Sequence, residues 1–332
     1  MGLNQNKKIT IILIITIFFS ATLTTAQTEE KTKEKINYKS IIDQGINLQL
    51  QPTDLQTWFE SQPKIKFASL IQNSLTIKFI DDSYTVLLDI TSQIGNQNKK
   101  ITTEKQINQQ QKLTGKTAVI LNPSEDRYGY RYCKKIIQSL ERMQYDILYK
   151  ANDEVNLNFI ENNLSAEVVY MNTHAGYWDT DGDGTSDTVI IATAEPWTNE
   201  TETTYEFEYN NQMILKGILG DTELITFTPH LIDHYYQNNT FSNTMIYMAT
   251  CEASYDDSMA KVFLNNGAET YIGWDGMTVS WLNRISSIRA FKLFNLGFTS
   301  EQVCKIIRYG GFYNRLFRSK LTFFGNGDLK LK

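Results

Sequence analysis

The sequence has few cysteines, and their spacing excludes two common kinds of small fold. Only three occur in 332 residues, Cys133, Cys251 and Cys304. Three cysteines cannot all pair, and no two of them form a C-x-x-C motif, so the sequence indicates neither a disulfide framework nor a zinc knuckle. At least one thiol is therefore free.

The chain also lacks an excess of positive charge. Its formal net charge is -5 at pH 7, whereas a protein that binds nucleic acid needs a basic surface to displace the counterions of the phosphate backbone. Nucleic acid is therefore not an expected partner. With 332 residues, 41% of them hydrophobic, the chain has enough apolar side chains for one large domain or two smaller ones.

Long hydrophobic runs are absent except at the N-terminus. There, Lys7 and Lys8 precede an apolar run over residues 9–19, and small residues stand before Gln27. This order is typical of a signal peptide at residues 1–26, and it predicts a secreted or cell-surface protein with no membrane span in the mature chain. The alternative is an uncleaved membrane anchor, because the apolar stretch is close to the lower length limit of a membrane-spanning helix.

Residues 27–115 form a predicted N-terminal segment that differs in composition from the rest of the chain. Two β-rich runs on either side of Asp81–Ser83 predict a hairpin, and residues 93–115 have no hydrophobic periodicity, which indicates a flexible linker. A small β-rich unit followed by a linker is able to cover a cleft and to be removed by cleavage. The segment is therefore a candidate propeptide. If the protein cleaves after basic residues, the candidate self-cleavage sites are Lys99, Lys100, Lys105 and Lys112.

Residues 116–332 show a different pattern, in which short apolar runs alternate with helical ones. The runs TAVILN, YDILYK, AEVVYMNT, TMIYMAT and AETYIGW are typical of buried strands, and apolar residues recur at helical spacing between most of them. This alternation predicts a three-layer α/β domain with a mostly parallel central sheet flanked by helices, preceded by the small β-rich N-terminal segment.

Two chemically reactive residues come directly after predicted strands of this sheet. His174 follows the run AEVVYMNT, and Cys251 follows TMIYMAT. The carboxyl ends of parallel strands meet at one edge of a sheet, and an imidazole beside a thiol is able to take its proton and generate a nucleophilic thiolate. Cys133 and Cys304 instead lie in apolar helical stripes, which indicates core positions. The alternatives for the first pair are a structural histidine and a buried cysteine.

The segments around these two residues resemble the paired signature of a known enzyme family. A hydrophobic run ending in NTHAG and a second ending in ATCEAS are similar to the motifs of the caspase-like, clan CD cysteine peptidases, which include caspases, gingipains, legumains and clostripain. The later segments MAKVFLNNGAETYIGWDGMTVSW and FFGNGDLKL look most like the gingipain branch. The resemblance covers residues 117–332.

The resemblance implies an exported cysteine endopeptidase that cleaves protein or peptide substrates through a thioester acyl-enzyme. Position by position, it implies that His174 is the general base and acid and that Cys251 is the nucleophile. In the family, the glycine directly after the histidine contributes its backbone N–H to the oxyanion hole, whereas here Ala175 stands between His174 and Gly176. Any residue except proline supplies an N–H, so the donor is expected at Ala175 or Gly176.

Substrate specificity is less well indicated by the sequence. Some relatives carry an aspartate two residues before the nucleophile to receive a basic side chain, but this chain has Ala249 there. Asp256, Asp257 and Asp275 lie in the predicted flanking loops and are candidates for an acidic pocket, with Trp274 as a candidate pocket wall. The alternatives are solvent-exposed surface carboxylates and a tryptophan that belongs to the core.

An evenly spaced set of aspartates begins five residues after the histidine. The segment DTDGDGTSD, residues 179–187, resembles the first part of an EF-hand loop, although Ile190 stands where the distal glutamate would be. Because Ca²⁺ takes six to eight oxygen ligands, the segment predicts a structural Ca²⁺ that orders the loop beside the histidine. The alternative is a plain acidic turn. The predicted ligands are Asp179, Asp181, Asp183, Thr185 and Asp187.

Two other functions are consistent with the same residues. A catalytically inactive, calcium-stabilised surface or binding module on the same fold would carry the same motifs. A metal-dependent hydrolase would use His174 with the aspartates and would not need Cys251. Blocking the thiol distinguishes the peptidase from the inactive module, and replacing the metal tests the hydrolase.

Overall fold

The computed structural model describes residues 38–93, 116–312, 315 and 318–331. The predicted signal peptide at residues 1–26 and almost all of the predicted linker lie outside the described residues. The helices are Lys39–Asn47 (α1), Pro52–Glu60 (α2), Ile90–Gln93 (α3), Glu125–Tyr128 (α4), Arg131–Arg142 (α5), Leu157–Asn162 (α6), Thr201–Thr204 (α7), Glu206–Asn210 (α8), Pro229–Tyr235 (α9), Ser258–Asn265 (α10), Ser280–Asn295 (α11) and Ser300–Ile307 (α12). Within the described ranges, no helix has the length and apolar character needed to cross a membrane.

The strands form one six-stranded and one seven-stranded sheet. They are Ile65–Ile71 (β1), Ser74–Phe79 (β2), Tyr84–Leu87 (β3), Thr117–Asn122 (β4), Asp146–Ala151 (β5), Val168–Met171 (β6), Ala175–Trp178 (β7), Thr188–Pro196 (β8), Ile214–Leu219 (β9), Thr222–Phe227 (β10), Met245–Met248 (β11), Thr270–Trp274 (β12) and Leu321–Gly325 (β13).

The six-stranded sheet has the order β13-β12-β11-β6-β4-β5. Its strands are parallel from β12 to β5, and β13 at the edge is antiparallel to its neighbour. The strands β6, β11 and β12 are buried along their whole length, as expected for strands that are covered on both faces. The strand and helix alternation predicted for residues 116–332 is therefore present in this sheet.

Helices cover both faces of the six-stranded sheet because side chains alternate along each strand. Along β6, Val168 and Tyr170 belong to a hydrophobic cluster with residues of α5, α11 and α12. Val169 and Met171 belong to a second cluster with residues of α6, α9 and α10. This second cluster also contains side chains of the seven-stranded sheet, such as Ile191, so the two sheets share one core.

The seven-stranded sheet has the order β1-β2-β3-β9-β10-β8-β7. Its pairs are antiparallel except for β3 with β9. Three of its strands come from the N-terminal segment, and four come from the region between His174 and Met245. One compact unit extends from Gly45 to Lys332, so both groups of strands belong to the same unit.

The α/β class predicted from the sequence is confirmed, but the two sheets together are mixed and not mostly parallel. The difference arises because the residues between His174 and the run TMIYMAT, where no strand was predicted, form β7 to β10. A connection as short as Gly220 and Asp221, between β9 and β10, joins only antiparallel strands. The predicted N-terminal hairpin is present as β2 and β3, but β3 is paired with β9 in a larger sheet.

Candidate active site

Parallel pairing places the candidate histidine and cysteine at the same level of the six-stranded sheet. On the adjacent strands β6 and β11, Met171 lies opposite Met248, and His174 and Cys251 each come three residues later. The pairing continues past the strand ends, since the Ala249 N–H donates to Met171 O at 2.7 Å. The sequence prediction that both residues follow neighbouring strand ends therefore agrees with their positions.

Each ring nitrogen of His174 faces a different side chain. Nδ1 is 3.8 Å from Asp89 Oδ2, and Nε2 is 2.9 Å from the Tyr128 hydroxyl oxygen. Burial lowers the pKa of His174 well below its usual value, the Asp89 carboxylate opposes this shift, and Arg127 adds to it. The imidazole is therefore neutral at pH 7 and able to accept a proton.

Tyr128 forms a hydrogen bond with the Nε2 of His174. Burial raises the pKa of its hydroxyl, so the phenol is neutral at pH 7 and is able to donate to an unprotonated Nε2 or to accept from an Nε2–H. In either arrangement, Nδ1 is the nitrogen that faces Asp89. Tyr128 ends α4, directly after β4, and the Arg284 guanidinium lies 5.0 Å from the centre of its ring, a cation–π contact that helps to hold the ring in place.

The thiol of Cys251 is hydrogen-bonded to the backbone of Thr278. The S–H donates to Thr278 O and the sulfur accepts from Thr278 N–H, each at 3.2 Å. Burial raises the pKa of this thiol, and the negative charges of Asp89 and Glu252 raise it further. The resting cysteine therefore carries a neutral thiol. The Asp89 carboxylate thus raises the pKa of both Cys251 and His174.

The other two cysteines are buried, as the sequence predicts. Cys133 is 0% exposed and Cys304 is 5% exposed, and both belong to the hydrophobic cluster between the six-stranded sheet and helices α5, α11 and α12. Burial raises the pKa of each thiol to about 12. Because apolar core side chains enclose both of these thiols, the cysteine whose position allows a chemical role is Cys251, which lies beyond a strand end at the level of His174.

The backbone direction of β7 distinguishes the two predicted oxyanion donors. Ala192 N–H donates to His174 O at 2.9 Å, so this carbonyl points toward β8. A carbonyl and the next N–H point in opposite directions across a trans peptide bond, so the Ala175 N–H points away from β8 and the Gly176 N–H points toward it. Since β7 is the edge strand of its sheet, Ala175 is the better candidate donor.

Two residues predicted to form a specificity pocket are held by structural partners beyond β12. Trp274 is fully buried and donates its Nε1–H to Asn283 Oδ1 at 2.9 Å, so it belongs to the core and does not line an open pocket. Asp275 accepts from the Lys320 N–H at 2.7 Å, and its other oxygen lies 3.5 Å from Lys320 Nζ. These bonds attach the end of β12 to the start of β13.

The other two predicted pocket residues lie at the start of α10. Asp256 accepts from the Ser258 N–H at 2.8 Å and from the Ser186 hydroxyl at 2.9 Å. Asp257 forms an ion pair with Lys261 at 2.8 Å. The three aspartates predicted as an acidic pocket are thus already paired within the protein, which the sequence could not show because Ser186 and Lys320 are distant in the chain.

A buried carboxylic acid that the sequence analysis missed comes directly after the candidate nucleophile. Glu252 is 1% exposed, and its Oε1 has no hydrogen-bond partner among the described residues. Its Oε2 is 3.5 Å from Ser74 Oγ. Burial is the main cause that raises the pKa of Glu252 to about 8, and the negative charge of the nearby Asp89 adds to this shift. At neutral pH the acid is therefore mostly protonated beside Cys251.

The predicted calcium loop connects β7 and β8, and part of it forms an acidic cluster. Asp179, Asp181 and Asp187 each place one carboxylate oxygen within 4.8 Å of the others. Asp179 is fully buried and accepts hydrogen bonds from the Gly182 N–H at 2.6 Å and from the Ser69 hydroxyl at 2.5 Å. Carboxylates at this separation repel one another unless a cation or hydrogen-bond donors compensate their charge.

Two of the predicted calcium ligands lie outside this cluster. The Asp183 carboxylate accepts from the Thr185 N–H at 2.7 Å and from the Thr185 hydroxyl at 2.6 Å, so the two residues satisfy each other. Neither His174 nor any cysteine belongs to the cluster. The metal-dependent hydrolase, which needs His174 beside the aspartates, therefore has no support from the described residues.

Asp89, Tyr128 and Glu252 are the site residues that sequence analysis did not identify. Tyr128 had a usable signal, because the segment after the predicted strand TAVILN also lies at the carboxyl edge of the sheet. No signal in the sequence pointed to Asp89, because it comes from the N-terminal segment and reaches His174 only through the seven-stranded sheet. Glu252 directly follows Cys251, and from the sequence alone a glutamate at this position is as consistent with an exposed loop as with a buried site.

Comparison with known proteins adds no assignment to this geometry. No family model matches the sequence, and no curated protein matches it significantly. Function is therefore inferred from the arrangement of the site residues and from the resemblance of the two motifs.

We predict that the buried Glu252 makes the fold less stable as pH rises. Its folded pKa of about 8 lies above the unfolded value, so between the two values the folded protein holds a proton that the unfolded chain has released. Stability should fall by at most about 1.4 kcal/mol per pH unit in that window because of this group. Chemical denaturation from pH 4 to pH 9 should show a smaller decline for Glu252→Gln than for the wild type.

The exposed Glu200, replaced in the same way, serves as the control for this measurement. Glu200→Gln should follow the wild-type curve at every pH. If Glu252→Gln also follows it, the carboxyl is not held in its neutral form by the fold.

Proposed function

We propose that this protein is a cysteine endopeptidase of the caspase-like kind, in which Cys251 and His174 form the catalytic dyad. The observation that carries the proposal is the in-register pairing of β6 and β11, which sets both residues three positions beyond paired strand ends. A neutral, buried imidazole and a thiol on neighbouring strands are the two groups that nucleophilic acyl transfer needs. The mostly parallel order of the six-stranded sheet supports the motif resemblance.

In the proposed acylation step, the Cys251 thiol passes its proton to the imidazole of His174. The sulfur attacks the carbonyl carbon of the scissile peptide, which forms a C–S bond and places negative charge on the carbonyl oxygen. The Ala175 N–H is the proposed donor to this oxyanion, since it points off the edge of β7. Collapse of this intermediate breaks the C–N bond, and the imidazolium donates its proton to the departing amine.

Deacylation reverses the roles with water as the nucleophile. His174 takes a proton from water as the water oxygen bonds to the thioester carbon. The C–S bond then breaks, the sulfur regains its proton from the imidazolium, and a carboxylic acid product leaves. Both steps need an imidazole that is neutral at rest, which agrees with the lowered pKa of His174.

The inactive-module alternative is favoured by one specific feature of the site. The thiol is bonded to Thr278, and both ring nitrogens of His174 face groups other than sulfur. A peptidase must release the thiol from Thr278 when substrate enters, whereas a binding module keeps this bond. Turnover of peptides is therefore the measurement that separates the two functions.

Replacement of Cys251 by alanine should abolish peptide-bond cleavage. Loss of a covalent nucleophile lowers turnover by about a million-fold in the serine peptidase subtilisin. Cleavage of a mixed peptide library by the purified protein, read by mass spectrometry, is the measurement. Cys133→Ala and Cys304→Ala are matched controls that should retain activity, since both thiols lie in the core.

A Cys251→Ala variant with wild-type cleavage would contradict the proposed mechanism. A wild-type protein that binds peptides without cleaving any of them would instead establish the inactive module.

We also propose a structural Ca²⁺ at the acidic cluster of the β7–β8 loop. Asp179, Asp181 and Asp187 are the residues that would hold it, because hard oxygen ligands suit Ca²⁺. The ion would neutralise mutual repulsion in the loop that begins five residues after His174. The same loop contacts the start of α10 through the Ser186 to Asp256 hydrogen bond, so its order would affect the segments after both catalytic residues.

Calcium should raise the melting temperature of the wild type, because a preformed site exists only in the folded state. Binding to the native state alone stabilises it by about 2.7 kcal/mol at a hundredfold excess over Kd. Thermal melting with Ca²⁺, with Mg²⁺ and with a chelator is the measurement. Asp181→Asn/Asp187→Asn should remove the calcium effect, whereas Asp183→Asn should keep it, since Asp183 lies outside the cluster. An unchanged melting temperature with chelator would mean that the loop is a plain acidic turn.

A further inference from the structure

We infer that residues 65–93 are a permanent part of the catalytic domain and that they supply Asp89 as a positioning residue for His174. This inference rests on the proposed function, and it assigns a role to a segment whose composition suggests a removable propeptide. Four sets of contacts support it: three join the segment to residues on the other side of the predicted linker, and the fourth, within the segment, fixes the carboxylate that faces His174.

The first contact is a shared sheet. Strand β3 pairs with β9 in parallel, with Thr85 opposite Lys216 and Leu87 opposite Ile218. The ladder continues beyond the strand, since the Leu88 N–H donates to Ile218 O at 2.8 Å. Removal of the segment would expose one edge of β9 and leave its backbone groups without these partners, which proteins avoid at a sheet edge.

The second contact covers the edge strand that follows His174. The Thr76 hydroxyl donates a hydrogen bond to Tyr177 O at 3.3 Å. The same hydroxyl accepts one from the Asp179 N–H at 3.2 Å. Thr76 of β2 therefore covers the end of β7, at Tyr177 and Asp179, on the side that β8 leaves uncovered, and these bonds do not reach Ala175. Because Tyr177 lies between His174 and the acidic cluster, and Asp179 is the first residue of that cluster, the segment supports the backbone of the candidate site itself.

The third contact is a close approach at Gly176. A Cβ at this position would lie 2.4 Å from Leu88 Cδ2 and 2.6 Å from Ser74 Oγ, which is closer than carbon atoms approach other side chains. Gly176 thus allows the N-terminal segment to pack directly against β7. This packing gives a structural reason for a glycine at position 176, which is also one of the two candidate oxyanion donors.

The fourth contact fixes the Asp89 carboxylate. Asn73, which is 4% exposed, donates its Nδ2–H to Asp89 Oδ1 at 2.7 Å and accepts from the Thr91 N–H at 2.8 Å. Asp89 has φ of 52°, and the turn is closed by the Ile90 N–H, which donates to Asn73 O at 3.1 Å. With Oδ1 held by Asn73, Oδ2 is the oxygen that faces the His174 ring.

The distance between Asp89 and His174 indicates when the carboxylate acts. At 3.8 Å the Nδ1 to Oδ2 separation is too long for a hydrogen bond. A neutral imidazole therefore gains little from it, but an imidazolium formed by proton transfer from Cys251 gains a nearby negative charge in a buried site. Asp89 is thus placed to favour the charged histidine that the proposed mechanism forms and to hold the ring with Nδ1 toward it.

A cut within residues 94–115 should consequently give a two-chain enzyme and not a shortened one. The N-terminal fragment would remain bound through β1 to β3 and would still contribute Asp89. Processing at the lysines of this region would then leave the catalytic site complete.

The first test inserts a recognition site for a sequence-specific protease between Lys100 and Lys112 of the full-length protein. After cleavage, both fragments should elute together in size-exclusion chromatography and should separate only in denaturant. Activity should stay within about twofold of the uncut protein, because the fragments keep every contact of the folded domain. Separation of the fragments under native conditions would overturn the permanent association, whether or not the protein is a peptidase.

The second test compares Asp89→Asn with Asp54→Asn, an exposed aspartate that precedes residues 65–93 and lies in the first turn of α2. Asp89→Asn should lower kcat by on the order of tenfold or more with little change in KM, a part of the 10²–10⁴-fold typical of general acid–base catalysis. The acid limb of its pH profile should move to lower pH, because the carboxylate that raises the pKa of His174 is gone. Asp54→Asn should match the wild type.

A titration by NMR gives a readout that needs no activity. The His174 resonance, assigned with a His174→Gln variant, should titrate at lower pH in Asp89→Asn than in the wild type. An unchanged titration overturns the positioning role even if the wild type cleaves no peptide. An inactive wild type whose His174 titration does shift would contradict the proposed function and leave the contact between Asp89 and His174 established.

Discussion

The in-register parallel pairing of β6 with β11 is the constraint on which the candidate site depends. Met171 and Met248 lie opposite each other, so the chain delivers His174 and Cys251 to the same level of the sheet. A shift by one residue would turn every side chain of one strand to the other face and separate the two groups. Alternating burial prevents such a shift, because Val169 and Met171 fill one hydrophobic cluster while Val168 and Tyr170 fill the other.

His174 also marks the point where the chain leaves one sheet and enters the other. Strand β6 of the six-stranded sheet ends at Met171, and β7 of the seven-stranded sheet begins at Ala175. The histidine is therefore positioned by both sheets at once. Its partner Tyr128 lies at the end of α4, which follows β4 of the first sheet, and its partner Asp89 lies two residues after β3 of the second.

The parts of the fold that could be predicted are those whose signal is local. Continuous apolar runs predicted β4, β6, β11 and β12, and the strand-end rule then predicted the positions of His174 and Cys251. The seven-stranded sheet could not be predicted, because Thr85 and Lys216 are far apart in the chain and no local pattern specifies a pairing over that distance. For the same reason Asp89 was missed, and Trp274 was assigned to a pocket although its indole is buried against Asn283.

In the proposed mechanism, the charges around Cys251 and His174 determine how the proton moves between them. Asp89 raises the pKa of His174, which favours an imidazolium, but it also raises the pKa of Cys251, which disfavours a thiolate. In a resting thiolate–imidazolium pair, Asp89 would stabilise the imidazolium and destabilise the thiolate. Burial opposes both charged forms. In the proposed mechanism, negative charge is better accommodated on a carbonyl oxygen that faces the Ala175 N–H than on the sulfur, because burial and Asp89 raise the pKa of the Cys251 thiol. The proton is therefore expected to leave Cys251 as the sulfur attacks the substrate, when the oxyanion can take the charge.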